Sequence, residues 1–200
     1  MFWYNDEVIS VENHPVKPKS DNKERIVFYG SSSLRLWTTL ESDFPELDIV
    51  NQAFGGSTLA ACCWFFKRLV PAQAPDAMVV YAGDNDLGDG RHPEEVFLFF
   101  KNMMALIQEY CGDIPVAFVS VKPGLTRQYL ADSIQYTNKI IKEEIDSAHP
   151  NCTFVSVYDE MLANSVPDSR FYQADGLHLS EEGYELWKEI LLEKFLFRFK

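Results

Sequence analysis

Ile26-Val27-Phe28-Tyr29-Gly30-Ser31-Ser32-Ser33 decides the fold class of this chain. Four β-branched or aromatic residues run without polar alternation into a glycine and then three serines. An uninterrupted apolar run of this length suits a strand buried on both faces, as in a parallel sheet. Glycine followed by serine suits a tight turn into a capped helix. The same rhythm recurs at Leu47-Asp48-Ile49-Val50, Ala77-Met78-Val79-Val80-Tyr81, Val116-Ala117-Phe118-Val119-Ser120-Val121 and Thr153-Phe154-Val155-Ser156-Val157. Helical stretches lie between these runs. One spans Ser57 to Val70, opened by Ser/Thr caps and stopped by Pro71. Another spans Pro93 to Tyr110, with two glutamates at its positive end. A third spans Tyr129 to Ser147, with Ile134, Thr137, Ile141 and Ile145 on one face. A last one opens at Ser180-Glu181-Glu182 and runs to about Phe195. Strands alternating with helices predict an α/β sandwich of three layers.

The composition bounds the function. The chain has 200 residues and a formal net charge of -12, with 46% apolar and 24% charged residues. That is a globular composition with room for a sizeable core. The acidic balance and the lack of a basic stripe argue against nucleic acid and against anionic lipid surfaces. No apolar stretch approaches transmembrane length, and no basic segment followed by an apolar run marks a secretory leader. The expectation is a cytoplasmic protein without stable membrane insertion. Cys62, Cys63, Cys111 and Cys152 form no C-x-x-C pair, which suits a reducing compartment. Residues 1–24 are polar, with Pro15 and Pro18, and read as an N-terminal extension; residues 25–200 read as one domain. No internal repeat is visible.

In open α/β sheets, ligands sit at the carboxyl ends of the strands. Three short segments follow strands and should converge there. Gly30-Ser31-Ser32-Ser33 is either a capped turn or the seat of a nucleophile; composition alone does not choose among its serines. It is no phosphate loop, because Leu34-Arg35-Leu36 stands where a lysine would be needed. Gly55-Gly56-Ser57-Thr58 is either a plain tight turn or a source of oxyanion N–H donors at a helix start. In Gly83-Asp84-Asn85-Asp86, Asn85 either makes an Asx turn or offers its amide as a second donor. Asp175-Gly176-Leu177-His178 is the sharpest signal. Residues three apart in one turn can face each other, so the carboxylate can hold one imidazole nitrogen and leave the other as base. His14, His92 and His149 read as surface residues and make no metal cluster with the cysteines. Cys62 and Cys63 lie mid-helix in apolar surroundings, where an activated thiolate is not expected.

Taken in order, these blocks resemble the SGNH hydrolases, the GDSL esterase/lipase family. The resemblance spans about residue 25 to the C-terminus and rests on phrases such as Phe-Gly-Gly-Ser-Thr, Tyr-Ala-Gly-Asp-Asn-Asp-Leu and Asp-Gly-Leu-His-Leu. It is similar to a bacterial-type subgroup with a Gly-Ser-Ser-Ser first block. It implies a flavodoxin-like, five-stranded parallel sheet in the order 2-1-3-4-5. It also implies Ser32 as nucleophile, His178 as base, Asp175 as its orienting carboxylate, and Ser32, Gly56 and Asn85 as oxyanion donors. Ser31 replaces the family's usual aspartate. In similar sequences a Lys-Pro and a later arginine recur after the fourth strand, here Lys122 and Arg127. These contact an anionic or sugar-bearing substrate or pair with surface carboxylates. Trp37, Trp64 and Phe54 line an acyl or sugar pocket or belong to the core.

The implied activity is serine hydrolysis of carboxylic esters, with no metal or organic cofactor. The partner expected is a small-molecule ester, with a small acyl or carbohydrate O-acetyl group preferred over a lysophospholipid or acyl thioester. The rivals are a non-catalytic binding module on the same fold and a nucleotide-binding flavodoxin-like protein.

Overall fold

The computed structural model describes every residue except Pro15, Lys17 and Lys200. Five strands form one parallel sheet: β1 (Arg25–Gly30), β2 (Asp48–Asn51), β3 (Ala77–Tyr81), β4 (Val116–Val119) and β5 (Cys152–Val155), in the order β2-β1-β3-β4-β5. β1 pairs with β3 from Ile26 against Ala77 to Gly30 against Tyr81. The order inferred by resemblance is the order observed, and the fold is flavodoxin-like. Every residue of β1, β3 and β4 is buried, which is why these runs read as continuous rather than alternating.

The helices are α1 (Asn5–Glu12), α2 (Ser32–Arg35), α3 (Leu40–Asp43), α4 (Leu59–Leu69), α5 (Asp84–Gly88), α6 (Pro93–Cys111), α7 (Ala131–Ala148) and α8 (Glu181–Lys194). They cover both faces of the sheet. On one face α4, α6 and α7 pack Phe65, Phe66, Phe100, Met103, Ile134 and Ile141 against Val27, Tyr29, Met78, Val80 and Phe118. On the other, Trp37, Phe44, Trp187 and Leu191 pack against Ile26, Phe28, Val79, Tyr81 and Ala117. The four long helices foreseen are present. Ser180 caps α8 by accepting from Gly183 N, and Pro93 opens α6.

The amino-terminal segment holds more structure than its polar composition suggested. Pro15, which helped mark it as an extension, lies outside the described residues. Within the segment, Asn5–Glu12 form α1, which buries Val8, and Tyr4 just before it packs in the core against Phe54 and Phe65. A small antiparallel hairpin, β6 (Leu162–Ala163) with β7 (Val166–Pro167), follows the sheet. Among the described residues, no helix is long and apolar enough to cross a membrane.

Candidate active site

β1 must end in glycine. Gly30 has φ +151°, and a Cβ there would lie 1.8 Å from the Tyr81 carbonyl oxygen. No side chain fits that approach. The chain then turns through Ser31, whose N–H donates to Tyr81 O at 2.9 Å and whose carbonyl accepts from Leu34 and Arg35. Ser31 and Ser33 are buried, while Ser32 at the start of α2 is partly open. Asn51 at the end of β2 fixes this turn: its Nδ2 donates to Leu34 O at 2.8 Å, and its Oδ1 accepts from Ala53 N.

Asp175 to His178 form the facing turn. Gly176 has φ +66°, and a Cβ there would press on Leu125 and Thr126 at 3.1 Å, so glycine permits both the turn and the neighbouring loop. One Asp175 oxygen accepts from the Leu177 and His178 N–H groups, each at 2.9 Å. The other lies 2.5 Å from His178 Nδ1. A carboxylate only accepts, so Nδ1 carries the proton and Nε2 presents a lone pair. That Nε2 lies 3.2 Å from Ser32 Oγ. Burial alone would raise the Asp175 pKa. The Leu177 N–H, the His178 ring and the His178 N–H outweigh it and bring it down to about 2. The carboxylate therefore stays ionised at neutral pH.

The other segments arrive as the topology dictates. Ser57 Oγ donates to Gly30 O at 2.9 Å, and Thr58 Oγ1 caps α4 by accepting from Ala61 N at 3.1 Å. These bonds fix the Gly55-Gly56 turn against the end of β1. Asn85 Nδ2 donates to Ser57 O at 3.1 Å, which leaves its second amide hydrogen for another acceptor.

Lys122 does not border open space. It is 2% exposed, with Nζ 3.6 Å from Asp84 Oδ2, so it is turned inward. Burial lowers its pKa, and the Asp84 charge opposes that fall. Arg127 is only partly open. It donates to Asp84 O at 2.8 Å and to Asn85 Oδ1 at 3.0 Å. Both cations of this loop thus meet the buried Asp84 rather than surface carboxylates, and Arg127 also reaches the half-buried Asn85. Trp37 and Phe54 belong to the core, and Trp64 is 69% exposed on α4. Cys62 and Cys63 are buried, and burial pushes the Cys63 thiol up to about 12. Among the described residues, no group of three or more His, Cys, Asp or Glu side chains is placed to hold a metal ion.

Sequence reasoning missed two carboxylates. Glu7 Oε2 accepts from Gly55 N at 3.1 Å and pairs with Arg35 Nε at 2.7 Å. Asp86 lies beside Asn85 and accepts from Leu59 N at 2.6 Å. Glu7 gave no signal, since it lies in a polar segment far from the blocks. Asp86 was in plain view but read only as a neighbour of Asn85.

The sequence model of the GDSL-like lipase/acylhydrolase family matches residues 27–186. The chain belongs to that family. It is an SGNH-type ester hydrolase by class, and the matched span holds the Ser32, Gly56, Asn85, Asp175 and His178 blocks. Solved structures agree on the fold. A Bacteroides fragilis protein provisionally named an acylhydrolase superposes with TM-score 0.79 at 21% identity, covering 94% of this chain and 93% of that one. A GDSL-like lipase from Bacteroides thetaiotaomicron gives TM-score 0.75 at 20% identity, covering 95% of each chain. A mutant acetyl-xylooligosaccharide esterase from Geobacillus gives TM-score 0.66 at 17% identity, covering 85% of this chain and 93% of that one. No curated protein sequence matches the chain.

Proposed function

We propose that this GDSL-family hydrolase cleaves carboxylic esters of small acyl groups, acetyl on a carbohydrate being the preferred case, through an acyl-enzyme on Ser32. The observation that carries this reading is the continuous line from Asp175 Oδ2 through His178 Nδ1 and Nε2 to Ser32 Oγ, with contacts of 2.5 Å and 3.2 Å. Ser32 Oγ attacks the ester carbonyl while its proton passes to His178 Nε2. The resulting imidazolium is stabilised by the ionised Asp175. The tetrahedral oxygen takes N–H donors from Ser32, Gly56 and the Asn85 amide. The carbon–oxygen bond to the alcohol then breaks, and His178 returns its proton to the leaving oxygen. Water attacks the acyl-enzyme with His178 as base, the acid departs, and Ser32 recovers its proton.

The small-acyl preference draws support from the acetyl-xylooligosaccharide esterase that shares the fold. Lysophospholipase and thioesterase activities are the alternatives within the class. A cytoplasmic setting is part of the same proposal, supported by four unpaired cysteines.

The test is turnover of p-nitrophenyl acetate, longer p-nitrophenyl acyl esters and acetylated xylo-oligosaccharides by wild type and Ser32→Ala. Short acyl groups should be favoured. Ser32→Ala should lose several orders of magnitude in rate at unchanged thermal stability, whereas Ser31→Ala and Ser33→Ala should lose far less. A folded wild type inert toward every ester would favour the binding-module reading.

A further inference from the structure

We propose that Arg127 is a positioning residue for the oxyanion hole: it holds the Asn85 side chain with its oxygen inward and one N–H outward, and polarises that amide. The proposal rests on the reading of Asn85 as an oxyanion donor.

An asparagine amide can be turned over at little intrinsic cost, and one orientation presents an acceptor where the other presents a donor. At an oxyanion the acceptor orientation would repel developing negative charge. Asn85 therefore needs something that recognises its oxygen. Arg127 Nη2 does so at 3.0 Å, and a guanidinium only donates, so it accepts no flipped amide. The amide nitrogen is held from the other side by Ser57 O at 3.1 Å. Both ends of the amide are thus read, and one N–H remains for the substrate. A cation on the amide oxygen also draws charge from the nitrogen and strengthens the remaining donor.

The guanidinium is itself fixed. Its Nη1 donates to Asp84 O at 2.8 Å and lies 3.3 Å from Asp84 Oδ2. It lies against the bare backbone of Gly88, where a Cβ would come within 3.0 Å of Cζ and Nη2. The planar fork serves Asp84 and Asn85 together, which a lysine ammonium at the same distance does not reproduce. The competing role is direct substrate contact, since Arg127 also lines a cavity of about 130 Å³ with Pro123, Gln128 and Val166.

The two roles separate in a double-mutant cycle on p-nitrophenyl acetate. Arg127→Ala should lower kcat by roughly tenfold with KM within about twofold, because the interaction it supports strengthens only in the transition state. In an Asn85→Ala background, Arg127→Ala should change kcat by less than about twofold, since the group it acts through is gone. Arg127→Lys should also lower kcat, as it retains charge without the fork. Gly88→Ala supplies a perturbation that leaves Arg127 in place. Its methyl would press the guanidinium aside by a few tenths of an ångström, so kcat should fall in wild type and not in Arg127→Ala. Thermal unfolding of each variant accompanies the kinetics, and Gly88→Ala with Arg127→Lys carries the test if Arg127→Ala does not fold. A full Arg127→Ala loss that persists without Asn85, or a loss confined to KM, would overturn the proposal in favour of substrate contact. If wild-type turnover does not depend on Ser32, the mechanism fails instead, and the two failures are distinguishable.

Discussion

Asp86 Oδ2 accepts the Leu59 N–H at 2.6 Å, so a buried carboxylate next to Asn85 ties α5 to the first turn of α4. Two loops that carry proposed oxyanion donors are thereby fixed to each other. Burial raises the Asp86 pKa to about 6, against the opposing pull of the Leu59 and Ala60 N–H groups and of Arg91. A carboxyl whose folded value lies above its unfolded one binds its proton preferentially in the native state. Its contribution to stability is therefore greatest below about pH 4 and falls as pH rises through about 6. The expected cost of holding it ionised at neutral pH is on the order of 3 kcal/mol. Asp86→Asn retains a carbonyl oxygen for Leu59 and removes the titration. The difference in urea-unfolding free energy between wild type and Asp86→Asn should shift in favour of Asn as pH rises from 4 to 7. A difference that stays constant over that range would show that Asp86 does not titrate between the folded and unfolded states.

Glu7 performs a similar service from the amino-terminal helix α1. It joins Gly55 N to the Arg35 guanidinium, and so links the Gly55-Gly56 turn to α2, which begins at Ser32. Both side chains are partly exposed, so the ion pair itself contributes little to stability. The effect should instead appear in the precision of the site. Glu7→Ala is expected to lower kcat on a short ester several-fold while Tm falls by no more than a few degrees, and Glu7→Gln should recover part of the loss because its oxygen can still accept from Gly55. Equal kcat in wild type and Glu7→Ala would confine the amino-terminal segment to a packing role through Tyr4 and Val8.

Asn85→Ala removes the side-chain amide proposed to donate to the tetrahedral oxygen, an interaction that would strengthen only as charge develops there. Its kcat should drop by roughly two to three orders of magnitude with a much smaller change in KM. The measurement is steady-state kinetics on one soluble ester, with circular dichroism as the control for folding. A correctly folded variant with wild-type kcat would take Asn85 out of the oxyanion hole.

Much of this architecture was legible before any coordinates. β1, β3 and β4 announced themselves because strands covered on both faces have no polar alternation, and Pro71, Pro93 and Ser180 punctuate the helices by chemistry that acts locally. The Asp175–His178 pairing was legible for the same reason: both residues lie in one turn. What stayed hidden depends on distance along the chain. Arg127 lies 42 positions from Asn85, and Glu7 lies 48 from Gly55. No local pattern records such contacts. Lys122 shows the converse failure. Its place after β4 put it correctly at the carboxyl end of the sheet, but position along a strand does not tell whether a side chain turns outward or, as here, toward Asp84 beneath the rim.

The pH dependence of the reaction tests the catalytic line as a whole. In the proposed mechanism His178 must be neutral at Nε2 to take the Ser32 proton, so kcat/KM should fall on the acid side as the imidazole protonates. Asp175 cannot produce that limb, because its pKa of about 2 leaves it ionised throughout the working range. Its charge favours the imidazolium, so Asp175→Asn should move the limb toward lower pH as well as reduce the rate. It also removes the acceptor that fixes the Nδ1–H tautomer, and an asparagine amide presenting N–H at Nδ1 would favour the wrong one. The rate loss should be large for Asp175→Asn and larger for His178→Ala, in which no base remains 3.2 Å from Ser32 Oγ. The measurement is kcat/KM against pH for wild type and both variants on one soluble ester. An acid limb that persists unchanged in His178→Ala would place the base elsewhere. A limb that moves upward in Asp175→Asn would contradict the sign of the carboxylate's influence and break the link between Asp175 and His178.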